Sequence, residues 1–74
     1  MNSLELKFAR QREGLSQREM AEAIKKSIDS YSKKERGKVS FSPDEILKAT
    51  LRLNLNYEQF NMIFFDGNLL FRKN

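Results

Sequence analysis

Apolar positions along the chain fall into short groups three or four residues apart, the period of helices that bury one face. Cap residues, glycines and a single proline separate these groups, so the pattern predicts about five helices joined by tight turns, with no strand pattern of comparable strength. The first helix is predicted over Leu4 to Glu13, stopping at Gly14, with Asn2 and Glu5 spaced as a capping box and Leu6 and Ala9 facing the core. Leu4 and Phe8 do not fit that face. The second starts at Ser16, which can cap Glu19 while Glu19 reaches back and Leu15 staples onto Met20; Met20, Ala21 and Ile24 continue its apolar face. The third begins at Ser27, after a short connection through Lys25 and Lys26, and ends at Arg36-Gly37. The fourth joins Ser42 as cap, Pro43 at the first helical position and Glu45 at the third, with Phe41 and Ile46 as staple and Ile46, Ala49, Thr50 and Leu53 facing inward. The fifth repeats this logic at Asn56 and Gln59, with Leu55 and Phe60 as staple, and extends through Ile63 and Phe64 until Asp66-Gly67-Asn68 breaks it.

Composition narrows what such a bundle can do. A chain of 74 residues buries only roughly 60% of its extended surface, enough for one compact domain and too little for a large enzyme cleft. It has neither histidine nor cysteine, which removes the commonest zinc and thiol chemistries and any disulfide framework; no metal or cofactor is expected. No apolar run approaches the roughly 20 residues that span a bilayer, so the expected setting is the cytoplasm and not a membrane. The acidic residues occupy ordinary surface and capping positions without a histidine or cysteine partner, and no phosphate-cradling glycine motif is present, so no enzyme is expected.

Charge adds a direction. The net +4 lies entirely in residues 1–41, and residues 25–38 carry it alone, with Lys25, Lys26, Lys33, Lys34, Arg36 and Lys38 against Asp29 and Glu35. A cluster of this kind suits a polyanion, and it equally suits a solvated surface that maintains solubility.

The two short helices predicted at 16–24 and 27–36 have the dimensions of a helix-turn-helix, in which the second helix presents its N-terminal residues to a major groove. With Tyr31 and Ile24 inward, periodicity turns Ile28, Asp29, Ser32 and Lys33 outward. The run Gly14-Leu15-Ser16-Gln17, Glu19-Met20-Ala21, Ile24, Ser27, Ser30-Tyr31-Ser32 and Glu35-Arg36-Gly37 resembles the lambda-repressor-like, or xenobiotic-response-element-type, helix-turn-helix family. With Arg10, Leu53-Asn54-Leu55 and Phe60, the resemblance covers approximately residues 4–65. Ser32 to Gly37, Arg52 to Leu55 and Glu58-Gln59-Phe60 look most like the N-terminal domain of Rgg/MutR-type regulators, which normally continue into a peptide-binding, dimerising helical-repeat domain.

The resemblance implies an all-α, five-helix DNA-binding domain over 1–65; beyond it, Leu69-Leu70-Phe71 is too short to declare a helix or a strand and makes 66–74 an extension available for dimerisation or packing. It places Ser27, Ile28, Asp29 and Lys33 at base edges, Ser30 beside the backbone and Gln17 on a phosphate while bracing the reading helix. Lys25, Arg36 and Lys38 suit phosphate better than bases. Lys33 can donate to guanine, Ile28 can touch a thymine methyl, and Asp29 can accept from cytosine, exclude wrong sites or cap the helix. Arg10 and Glu35 match a pair that joins the first helix to the end of the third. The sequence departs from the family at Lys25-Lys26, where the turn usually holds a glycine and an apolar residue, and at Lys34, usually apolar or aromatic; buried ammonium groups there require packed stems and heads that reach water. The expected function is sequence-specific binding of duplex DNA, palindromic or in two half-sites, by a homodimer in transcriptional control. Two alternatives accompany it: an antitoxin-like or inhibitory protein-interaction module on the same fold, and a chain that forms only the DNA-binding part of a larger regulator with a peptide-sensing domain.

Overall fold

The computed structural model describes residues 1–69. Five helices follow one another: α1 (Ser3–Arg12), α2 (Gln17–Ile24), α3 (Ile28–Glu35), α4 (Pro43–Arg52) and α5 (Tyr57–Phe65), with no strand among the described residues. Every helix starts on a side chain that accepts a hydrogen bond from the backbone N–H three residues on: Asn2, Ser16, Ser27, Ser42 and Asn56. The reciprocal bond of a full capping box forms at α2, α4 and α5, whereas α1 has only the half in which Glu5 N–H donates to Asn2. The first helix therefore begins and ends one residue earlier than its apolar pattern predicts.

The core is a single cluster drawn from all five helices, with Leu6, Met20, Ile24, Tyr31 and Ile63 as its largest fully buried side chains. Each such side chain contributes about 1.5–3 kcal/mol of transfer free energy. Ala9, Ala21 and Ala49 are buried with no more than a methyl group, Leu53 and Phe64 are buried at the end of α4 and in α5, and Phe41 bridges Tyr31 and Phe64 through edge-on ring contacts at 6.2 and 5.5 Å. Ile46 and Thr50 sit half-buried at the margin instead of wholly inside. Leu4 and Phe8 face outward on α1. At the C-terminal end Leu69 is exposed, with its backbone held by the Asn61 amide through bonds of 2.9 and 3.1 Å; Leu70 and Phe71 lie outside the described residues.

The connection between α2 and α3 is tight because Lys25 takes the left-handed conformation, φ 61°, where its N–H donates to Glu22 O and the Lys26 N–H donates to Ala21 O. Beyond α3, Gly37 (φ +80°) turns the chain beneath α1, where a Cβ would lie only 3.1 Å from Ser3 Oγ. The loop then folds back so that Lys38 N–H donates to Lys33 O at 2.9 Å. These two turns fix both ends of α3.

Candidate nucleic-acid interface

The reading helix of a helix-turn-helix must be held rigidly from behind while its front stays open. Behind α3, the holding is done by one carboxylate. Arg10 Nε donates to Glu35 Oε1 at 2.7 Å and Arg10 Nη2 approaches Oε2 at 3.4 Å, while Arg10 Nη1 donates to Leu15 O at 2.8 Å. Tyr31 Oη donates to Oε1 at 2.9 Å and Gln17 Nε2 to Oε2 at 3.0 Å. Burial opposes ionisation of Glu35, but the hydrogen bonds from Arg10, Gln17 and Tyr31 and the Arg10 charge outweigh it and hold the carboxyl below its ordinary value. The same environment pushes the Tyr31 phenol up, through burial first and the adjacent Glu35 charge second, so this phenol stays a donor. The Glu35 side chain is only 5% exposed and Arg10 12%, so the cluster joins α1, α2 and α3 away from bulk water.

The front face carries the other predicted residues. Ser27 caps α3, its Oγ accepting from Ser30 N–H at 3.1 Å, and is exposed; Ser30 is half-buried. Ile28 is 38% exposed, an apolar side chain on an otherwise polar surface. Asp29 and Lys33 are both exposed and pair with each other across one helical turn at 3.1 Å. Capping falls to Ser27 and not to Asp29. Lys25 and Lys38 stand exposed at the two ends of α3, and Arg36 caps its C-terminal end with its Nε donating to Ser32 O at 3.3 Å. Gln17 is half-buried, and its amide nitrogen has a second hydrogen beyond the one given to Glu35.

The structure corrects the reading of Lys34. Its head does not reach water: Nζ donates to Ser40 O at 3.0 Å, pairs with Glu45 Oε1 at 3.1 Å and lies 6.0 Å from the Phe41 ring centre. Both Lys34 and Glu45 are buried, and the other Glu45 oxygen stands 3.7 Å from Lys26. Burial raises the Glu45 carboxyl, yet the Ser42 N–H bond and the two lysines bring its net position below the ordinary value. Sequence reasoning missed this cluster. Its signal was a lysine three residues after Tyr31 on an inward face, which requires a carboxylate opposite it.

Among the described residues no helix is long and apolar enough to cross a membrane, and no group of acidic side chains is placed to hold a metal ion. No curated protein and no solved structure gives a significant match to the chain. A family model for helix-turn-helix domains matches residues 6–60, from the middle of α1 into α5. Domains of that family are DNA-binding modules of transcription regulation and not catalysts. By that match and by its five-helix architecture, this chain belongs to the lambda-repressor-like helix-turn-helix family.

Proposed function

We propose that the protein reads duplex DNA sequence-specifically, with the N-terminal end of α3 in the major groove. The observation that carries this reading is the contrast between the two sides of α3: a buried four-donor cluster on Glu35 behind it, and an exposed face of Ser27, Ile28, Asp29 and Lys33 in front. In this reading Lys33 donates to guanine O6 and N7, Ile28 packs on a thymine methyl and Asp29 accepts from cytosine N4, once the Asp29–Lys33 pair opens toward the bases. Gln17, Ser30, Lys25, Arg36 and Lys38 contact phosphates and set the register. One α3 reads few base pairs, so the functional unit is a cytoplasmic homodimer on two half-sites about 34–36 Å apart. The likeness to Rgg/MutR-type regulators supports a role as the DNA-reading part of such a protein.

The test is a titration of labelled duplexes by wild type, Lys33→Met and Gln17→Ala across a salt series. Lys33→Met should cost about 1–3 kcal/mol on a selected site and relax preference at one base pair, whereas Gln17→Ala should weaken all duplexes similarly. Absence of salt-dependent duplex binding by a folded wild type contradicts the proposal. A second reading, docking onto another protein, draws on Leu47 and Leu51, one helical turn apart on α4 and 56% and 67% exposed. Co-purification with one defined protein partner, together with loss of DNA binding, favours it.

A further inference from the structure

We propose that Lys26 is a phosphate contact whose strength is set by Glu45, the carboxylate it shares with the buried Lys34. This inference rests on the DNA-binding reading above. The two lysines hold Glu45 unequally. Lys34 Nζ is 3.1 Å from Oε1 and also donates to Ser40 O, and Oε1 accepts from Ser42 N–H at 2.9 Å. The side chains of Lys34 and Glu45 are only 8% and 7% exposed. Lys26 Nζ lies 3.7 Å from Oε2, beyond hydrogen-bond range, and its side chain is 49% exposed. Its attraction to the buried Glu45 carboxylate therefore has no hydrogen bond in it and acts from a half-exposed ammonium that salt can screen.

Lys26 immediately precedes Ser27, the cap of α3. When the first turn of α3 enters a major groove, the residues just before it stand at the groove rim, where phosphates run. The flexible four-carbon stem of a lysine lets the ammonium leave Glu45 for a phosphate oxygen. Lys34 is what makes this exchange inexpensive. Because it stays on Glu45, the departure of Lys26 leaves no unpaired charge in the interior. Two cations on one anion thus give a fixed partner and an exchangeable one, and Glu45 restrains affinity for any duplex without altering base preference.

The double variant Lys34→Met/Glu45→Gln tests this, because it removes one positive and one negative charge and keeps the net charge at +4. Met replaces the lysine stem, and Gln retains an acceptor for Ser42 N–H. Anisotropy titrations of a random-sequence duplex over a salt series should show the double variant binding about two- to fivefold tighter than wild type at low salt. The gain should vanish when Lys26→Gln is added. Lys26→Gln alone, at an exposed position that does not threaten folding, should reduce the salt slope by about 1 with base preference unchanged. An unchanged slope for Lys26→Gln overturns the inference, as does a gain that survives removal of Lys26 or weaker binding by a double variant with intact thermal unfolding. Failure of wild type to bind any duplex overturns the DNA-binding reading and this inference together; failure of the Lys26 arm alone overturns only the inference.

Discussion

Glu35 shows how one side chain at the end of a short helix can orient three elements. An ionised carboxylate accepts through two oxygens, and here both are used, by donors from α1, α2 and α3 itself. Replacing it by Gln leaves the Arg10 guanidinium, itself largely buried, without its counter-charge, so Glu35→Gln should destabilise the domain by about 3 kcal/mol in denaturant unfolding. A loss below about 0.5 kcal/mol would show that the cluster is a surface decoration. Thr50 gives the opposite case. Its Oγ1 is buried and makes no hydrogen bond, so Thr50→Val, similar in shape and without the hydroxyl, should be neutral or raise stability by about 1 kcal/mol. Thermal unfolding distinguishes this from the loss expected if the hydroxyl were needed.

The helices themselves were largely legible in the sequence, because what starts and stops them is local. Ser16, Ser42 and Asn56, each followed three residues later by Glu or Gln, carry the capping boxes the sequence calls for. The inward faces of α1, α2 and α5 follow from spacing alone. Legibility ended where contacts join elements distant in the chain. The Gln17–Glu35 and Lys34–Glu45 contacts depend on how α2 and α4 cross α3, and no local period encodes a crossing. The α2–α3 turn lies between these cases: a missing glycine suggests altered geometry, yet Lys25 adopts the left-handed conformation a glycine would take. Lys25→Gly should therefore remove backbone strain and stabilise the fold by about 1 kcal/mol. In a domain of this size that raises the melting temperature by about 4–8 °C. The same substitution should weaken duplex binding if Lys25 meets a phosphate, so stability and affinity should move in opposite directions.

The molecule as a whole is polarised. Its net charge lies around α3, while Leu47, Leu51, Met62 and Phe65 form apolar outer surface on α4 and α5. The two buried carboxylates also give the entire domain an acid limit. Glu35 and Glu45 both sit below the ordinary value of 4.5 in the folded state, so the unfolded chain takes up protons first as pH falls. Their contribution is complete above that value and is lost as pH falls through the folded values. Unfolding free energy should accordingly be flat near neutral pH and decline below about pH 4.5, with Glu35→Gln showing a shallower decline. In the proposed function the exposed face of α3 reads base sequence. Selection of binding sites from a randomised duplex pool tests it most directly. The predicted result is an enriched motif of two related half-sites with centres about 10–10.5 bp apart, a guanine preference in each half that disappears with Lys33→Met. A folded protein that enriches no motif, or one whose motif is untouched by Lys33→Met and by changes at Ile28 and Asp29, would contradict it.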